Sequence, residues 1–136
     1  MSNVWQSIAG FPDFLAYFAF ALAILALFVT IYVRATPYRE FALIREGNIA
    51  AAISLAGALM GFVLPLASAI AHSVSPLDMA AWSAIALLVQ VVVYAVAARL
   101  IPHFAQAIEA GRAAPAVLLA TLSLSVGVLN AACLTY

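Results

Sequence analysis

The sequence predicts an all-α membrane protein with four transmembrane helices, and three observations predict this fold. Of its 136 residues, 68% are hydrophobic and only 7% are charged, whereas soluble domains carry about a quarter charged residues. Four stretches contain no Asp, Glu, Lys or Arg, and each is long enough to cross a hydrocarbon core of about 30 Å. These stretches also do not alternate polar and apolar residues as the strands of a membrane barrel do.

The same composition excludes several classes of protein. A chain of 136 residues cannot hide this much apolar surface in water, because short chains leave a large fraction of their residues exposed. A soluble enzyme is therefore excluded, and the high hydrophobicity excludes a disordered regulator. Five arginines against five acidic residues leave no basic face for nucleic acid. The partner that the composition requires is the lipid bilayer.

The four stretches follow one another in a single membrane domain, residues 1–136. The predicted spans are residues 14–33, 48–71, 79–98 and 113–136. The segment before the first span contains no basic residue, so this span is predicted to be retained rather than removed with a signal peptide. Helices are the expected conformation, because a helix satisfies its backbone hydrogen bonds within one segment.

The arginines predict the orientation of the spans. All of them lie in the first and third connections, and the N-terminal tail, the second connection and the C-terminus contain none. By the positive-inside rule, loops 34–47 and 99–112 face the cytoplasm and both termini lie outside. The arginines are Arg34, Arg39, Arg45, Arg99 and Arg112.

An internal repeat relates the two halves of the chain. Arg34 precedes Pro37 by three residues, as Arg99 precedes Pro102, and an acid, a glycine and an Ala-rich helix start follow in both loops. Because each unit holds an even number of spans, the sequence predicts two parallel two-helix repeats. The alternative is that any membrane hairpin shares a basic loop and an Ala-rich return helix. The repeats cover residues 11–72 and 76–136, approximately.

The segment from Arg45 to Ile70, REGNIAAAISLAGALMGFVLPLASAI, resembles the bacterial domain-of-unknown-function 350 family of inner-membrane proteins. In that family an acid-x-Gly-Asn-x-Ala-Ala-Ala-Ile signature opens a helix with spaced glycines, and the unit occurs twice. Here the acid directly abuts the glycine, and the second copy has Arg112 in place of Asn and Pro115 in its first turn. The resemblance implies a bacterial inner (plasma) membrane protein, and it implies no defined activity.

Small and polar residues recur on one face of the second and fourth spans, at steps of three and four. Gly57 and Gly61 form a small-xxx-small pair that lets another backbone approach closely, and Pro65 is expected to kink the helix. The pattern predicts that these two spans pack centrally, with the first and third spans at the periphery. The alternative is that the stripe lines a path for water or ions. The helix-packing candidates are Gly57, Gly61, Pro65, Ser123 and Gly127.

Other polar residues are candidates for lining such a path. Gln90 lies in the middle of the third span, and an amide there needs a partner, either a serine, Asn130 or a copy of itself across a dimer. His72, at the end of the second span, is either a helix cap or a proton sensor. The candidate path-lining residues are Ser54, Ser68, His72, Gln90 and Asn130.

Glu46 and Asn48 stand at the start of the second span. An acid is favoured at a helix N-terminus, and Asn48 is suited to cap it. The alternative is that both residues form an inner mouth that attracts ions.

The sequence predicts no enzymatic activity, no metal site and no cofactor. It contains no HExxH, GxSxG or P-loop motif, and no carboxylate lies deep in a predicted span. The two histidines, His72 and His103, are expected at opposite ends of the spans, and Cys133 is the single cysteine.

Two functions remain open on this basis. The first is an oligomeric permeation unit for an ion or small solute, at least a dimer, since four short spans do not easily enclose a path. The second is a non-transporting adaptor or envelope-stress component that docks a cytoplasmic protein through its basic loops. Its support is the segment RATPYREFALIREG, in which Arg39 and Arg45 alternate with apolar residues.

Overall fold

The structure, a computed structural model, describes residues 2–72 and 74–134. Within these ranges it is all-helical, and four helical segments are long and apolar enough to cross a membrane. The predicted all-α architecture and the number of candidate spans, four, are therefore confirmed. The predicted end of the fourth span, residues 135 and 136, lies outside the described residues. The helices are α1 (Ser2–Ala9), α2 (Phe11–Ala35), α3 (Glu40–Arg45), α4 (Ile49–His72), α5 (Pro76–Leu100), α6 (Phe104–Glu109) and α7 (Ala113–Cys133).

Helices α2 and α5 begin before the uncharged stretches because residues that favour helix starts lie there. α5 begins at Pro76, and the Ser75 hydroxyl accepts a hydrogen bond from the backbone N–H of Asp78 at 3.2 Å. Proline suits the first turn because its missing N–H has no partner within the helix, and serine is a preferred cap. α2 likewise has a proline in its first turn. α4 runs without interruption through Pro65.

Helices α4 and α7 form the most extensive contact in the described part of the chain. A Cβ atom added to Gly57 would collide with the backbone of Ala120, and one added to Gly61 would collide with the carbonyl of Ser123. One added to Gly127 would collide with the backbone of Gly61. The two helices are therefore in backbone contact, which side chains larger than hydrogen would prevent.

The third span was predicted to lie at the periphery of the bundle, but the corresponding helix, α5, lies near its centre. It packs against both α4 and α7 and buries Met79, Ala86, Gln90 and Ala97. Helix α2 contacts α4 and α5 mainly through its second half, including Phe28 and Tyr32, and its first half is exposed. The bundle is therefore built on α4, α5 and α7, with α2 at its side.

The two loops that carry the arginines have the same backbone design. In the first, Gly47 follows α3 with φ +88°, and the N–H groups of Gly47 and Asn48 donate to Ile44 and Leu43. In the second, Gly111 follows α6 with φ +79°, and the two corresponding hydrogen bonds recur. This is a Schellman motif, in which glycine supplies the left-handed conformation that ends a helix. Both loops lie at one end of the bundle, which we call the arginine-bearing end.

Candidate functional site

A carboxyl group is buried at the arginine-bearing end. Glu40, the first residue of α3, is only 1% exposed. The Thr36 hydroxyl lies 2.7 Å from Glu40 Oε1, to which it can donate, and 3.0 Å from the carbonyl of Val33. The second carboxyl oxygen, Oε2, is buried and has no hydrogen-bond partner within the chain. A buried carboxyl with a free oxygen is costly unless it is protonated or meets a ligand.

Three tyrosines surround this carboxyl, and Glu40 lies within electrostatic reach of all of them: Tyr32 of α2, Tyr38 of the loop and Tyr94 of α5. The Tyr94 ring packs edge-on against Tyr32 and Tyr38, with ring centroids 6.4 and 6.3 Å apart. The hydroxyls of Tyr32 and Tyr38 are buried and make no hydrogen bond within the chain. We call Tyr32, Thr36, Tyr38, Glu40 and Tyr94 the Glu40 cluster.

Backbone conformation brings the loop residues of the cluster inward. Thr36 has φ −83° and ψ 144°, and Arg39 has φ −86° and ψ 91°, so both residues are extended. Alternate residues of an extended segment point to opposite sides, and Thr36, Tyr38 and Glu40 are buried while Pro37 and Arg39 are exposed. The sequence TPYRE therefore folds three polar side chains into the bundle.

Burial changes the protonation of this cluster. It raises the pKa of Glu40 from 4.5 to about 7, against the lowering effect of the hydrogen bond from Thr36. It also raises the pKa of the Tyr38 hydroxyl, with smaller contributions from the charges of Glu40 and Tyr94 and a lowering effect from nearby Ser54. Glu40 is therefore a group that gains and loses a proton near neutral pH.

The cluster has access to the arginine-bearing end through a cleft. This cleft has a volume of about 350 Å³, and its lining includes Thr36, Tyr38 and Glu40 together with Arg34 and Arg39. Both arginines are exposed. The cleft connects the buried carboxyl with the aqueous side of this end of the bundle.

The predicted inner-mouth residues lie elsewhere and differ from each other. Glu46 is exposed at the end of α3. Asn48 Oδ1 accepts the backbone N–H of Ala51 at 3.0 Å, and its Nδ2 donates to the carbonyls of Ile108 at 2.8 Å and Glu109 at 3.2 Å. Asn48 therefore caps α4 and also joins the two loops.

Gln90 is fully buried, and its Nε2 donates to the backbone carbonyl of Ser123 at 3.1 Å. Of the predicted partners within the chain, the amide nitrogen uses a serine, through its backbone carbonyl rather than its hydroxyl. Its Oε1, the Ser123 hydroxyl and the Asn130 amide nitrogen are buried without hydrogen-bond partners in the chain. The middle of the bundle therefore holds polar groups whose bonding capacity is not used.

The remaining path-lining candidates bond to backbone carbonyls. The hydroxyl of Ser54 donates to Ala51 at 3.1 Å, and that of Ser68 donates to Ala131 at 3.0 Å. A ring nitrogen of His72 lies 2.9 Å from the carbonyl of Ser68, and the side chain is exposed at the end of α4. Ser54 and Ser68 are thereby satisfied without water.

Buried polar groups without a hydrogen-bond partner in the chain lie at several depths along the bundle, and we call them together the polar file. At about 1.5 Å per residue, Gln90 and Ser123 lie about 15 Å from the arginine-bearing end. Ser83 lies in the first part of α5 and Asn130 in the last part of α7, so both are toward the end of the bundle that is away from the arginines. In the described part of the chain, the buried side-chain atoms without a partner belong to Tyr32, Tyr38, Glu40, Ser83, Gln90, Ser123 and Asn130.

Sequence reasoning found Gln90, Ser123 and Asn130 and missed Glu40 and Ser83. Glu40 was missed because it lies outside the uncharged stretches, in a loop, where an acid is ordinarily solvated. The available signal was the alternation in TPYRE, which places Thr36 and Tyr38 on the same side of the extended segment as Glu40. Ser83 has no comparable signal, because serine is common in membrane helices.

Comparison with known proteins places the chain among membrane proteins. Residues 6–134 match the family described as Domain of Unknown Function (DUF350). The chain is 37% identical over 123 residues to UPF0719 inner membrane protein YjfL of Escherichia coli (strain K12), covering 90% of this chain and 93% of the relative. It is 27% identical over 104 residues to UPF0719 transmembrane protein YshE of Bacillus subtilis (strain 168), covering 76% of each. No solved structure matches the chain significantly.

Proposed function

The chain belongs to the DUF350 family and is a small multi-pass inner-membrane protein, and from that premise we propose that it is an oligomeric permeation unit for an ion or small solute. The observation that carries the proposal is the polar file. A polar group without a partner in a hydrocarbon environment costs several kcal/mol. Water or a permeating ion would supply the missing partners along the bundle.

A role in helix packing alone accounts for only some of the polar residues. Ser54 and Ser68 bond to backbone carbonyls, and the glycines allow α4 and α7 to touch. The Ser83 hydroxyl, Gln90 Oε1 and the Ser123 hydroxyl gain nothing from that packing. In a permeation path, these unsatisfied groups would bond to water or to the permeant. This function involves no catalytic step.

Reconstitution into liposomes tests the proposal. Gln90→Leu removes the amide in the middle of the polar file, and we expect it to reduce the flux of the permeant about tenfold or more, because an apolar segment in the path raises a desolvation barrier. Gln106→Leu makes the same change at an exposed position of α6 and is the matched control. Wild-type protein that carries no ion in any imposed gradient would refute the proposal.

The proposal includes a homo-oligomer, a dimer or higher. Two observations support this. Four spans do not easily enclose a path, and the first half of α2 is not covered by the rest of the chain. Native mass spectrometry from lipid nanodiscs measures the subunit number. A strictly monomeric protein with full flux would exclude this part of the proposal.

The proposal also includes the orientation and the duplication. Loops 34–47 and 99–112 face the cytoplasm, with both termini outside, because the arginines are all in these loops. The two hairpins are parallel copies of one unit, and the recurrence of the six-residue helix and the left-handed glycine in each loop supports this. The copies differ at Asn48 and Arg112, so only the first loop bridges to the other.

An adaptor that binds a cytoplasmic protein is the second candidate, and one observation favours it. Arg39, Phe41 and Arg45 are all exposed on the first loop, and Phe41 keeps 46% of its surface accessible. Exposed arginine and aromatic side chains are common at the centre of protein interfaces. Reversal of charge at Arg39 and Arg45 should abolish co-purification of such a partner, and unchanged co-purification would exclude the adaptor.

A further inference from the structure

We infer that the permeant is the proton and that Glu40 is the group that takes it up at the arginine-bearing end. The inference rests on the proposed permeation function and deepens it. It is carried by the contacts of Glu40, the packing of the tyrosines around it and the position of the cluster at one end of the polar file.

The contacts of Glu40 suit both of its protonation states. When the carboxyl is ionised, the Thr36 hydroxyl donates to Oε1 over 2.7 Å. When the carboxyl is neutral, it can donate to the Thr36 oxygen instead, and Thr36 turns its own proton to the carbonyl of Val33 at 3.0 Å. Only hydroxyl protons rotate, so the change of state requires no rearrangement of heavy atoms.

The site offers little to a metal cation. Calcium takes about six to eight oxygen ligands and magnesium about six, whereas the unpartnered oxygens here are Glu40 Oε2 and the hydroxyls of Tyr32 and Tyr38. In the described part of the chain, no three side chains of His, Cys, Asp or Glu are grouped to hold a metal. The rings of Tyr94 and Phe104 are also in edge-on contact, with centroids 5.8 Å apart. A proton needs one lone pair and no cavity.

The charges around Glu40 are few. The tyrosines that face it from α2, the loop and α5 are neutral at physiological pH. The helix α4 contributes the uncharged Ser54 near Tyr38, and the cleft that leads outward carries two arginines, which favour the ionised carboxyl. Burial raises the pKa of Glu40 to about 7 against the lowering effect of the hydrogen bond from Thr36. The titratable or charged groups near Glu40 are Tyr32, Arg34, Tyr38, Arg39 and Tyr94.

The transfer itself exchanges only O–H bonds. The Glu40 carboxylate takes a proton from a hydronium ion in the cleft, which leaves as water, and the carboxyl becomes neutral. It then gives this proton to an oxygen of the polar file or to a water held there, and the carboxylate is restored. A tyrosine hydroxyl that accepts the proton releases its own to the next oxygen, so no electrons are transferred and no group is consumed.

Proton flux into proteoliposomes that contain a pH-sensitive dye tests the inference, with potassium and sodium flux measured on the same vesicles. We expect Glu40→Gln to lower proton flux about tenfold or more, because a carboxyl that relays protons is lost. Glu109→Gln changes an exposed carboxyl at the end of α6 and should leave flux within about twofold of the wild-type value, since an exposed charge adds little. Glu40→Asp keeps the carboxyl and should retain measurable flux, which separates loss of the relay from loss of folding.

The outcomes separate the inference from the proposed function. Proton flux that survives Glu40→Gln, or potassium or sodium flux as fast as proton flux, would overturn the inference and leave permeation standing. Absence of every flux would overturn both. Infrared difference spectroscopy is the independent measurement: the band of a protonated carboxyl should titrate near pH 7 and should disappear in Glu40→Gln but not in Glu109→Gln. A midpoint near the ordinary value of 4.5 would also overturn the inference.

Discussion

Asn48 donates a hydrogen bond of 2.8 Å from its side chain to the carbonyl of Ile108, sixty residues further along the chain. The same side chain accepts the N–H of Ala51 at the start of α4. One amide therefore satisfies a free N–H at the beginning of α4 and adds a second hydrogen bond to a carbonyl at the end of α6 that already accepts the N–H of Gly111. The first N–H groups of a helix have no partner within it.

The first prediction follows from this double role. Asn48→Ala should lower the free energy of unfolding by about 2 kcal/mol, the sum of a lost cap and a lost loop contact, each worth about 1 kcal/mol. Asn48→Ser keeps an oxygen for the cap and should lose about half as much. Thermal or denaturant unfolding in detergent measures the differences. Equal losses in the two variants would show that the cap contributes nothing, and an Asn48→Ser variant as stable as the wild type would show that the contact with Ile108 contributes nothing.

The second prediction concerns the contact between α4 and α7. Gly61→Ala should destabilise the protein by about 1–3 kcal/mol or more, because the new Cβ meets the carbonyl of Ser123 and the helices must separate. Gly10→Ala is the matched control, since its Cβ would lie 3.6 Å from the nearest atom, the Ser7 oxygen. Unfolding in detergent compares the two. If Gly61→Ala is as stable as Gly10→Ala, the close approach of the helices is not required for stability.

The four spans could be predicted from the sequence because exclusion of charge from lipid is a property of each segment by itself. The capping role of Asn48 was also accessible, since a helix start is local. The contact of Asn48 with Ile108 and the burial of Ser83 could not be predicted, because both depend on how distant segments meet. Glu40 is an intermediate case, because its exposure depends on the conformation of TPYRE. The alternating pattern in this segment indicates burial of the acid, whereas the general rule is that acids in loops are solvated.

The third prediction concerns orientation. In a Cys133→Ala background, Val74→Cys and His103→Cys place single thiols at exposed positions near opposite ends of the bundle. Because the arginines all lie in the loops at the His103 end, we expect a membrane-impermeant maleimide to label the Val74 variant in intact cells and the His103 variant only after permeabilisation. Labelling in the reverse order would invert the orientation, and labelling of both from outside would exclude the four-span topology.

The fourth prediction is a pH dependence of stability that arises from Glu40. Its pKa is about 7 in the folded protein, against an ordinary value of 4.5, so the folded state binds the proton more tightly than the unfolded state. Stability from this group is therefore complete below about pH 4.5 and is lost as the pH rises through 7. The loss amounts to at most about 3–4 kcal/mol, since each pKa unit corresponds to about 1.4 kcal/mol.

Unfolding of the purified protein in detergent between about pH 4 and pH 8 measures this dependence, because this window contains both values, 4.5 and about 7. Glu40→Gln mimics the neutral carboxyl, so its stability should change little across the window and should exceed that of the wild type at the alkaline end. Glu46→Gln retains Glu40 and should follow the wild-type curve, because it changes an exposed side chain and leaves the Glu40 cluster intact. A wild-type stability that rises with pH in this window would mean that Glu40 is stabilised as a carboxylate, because the direction of the slope depends only on which state binds more protons.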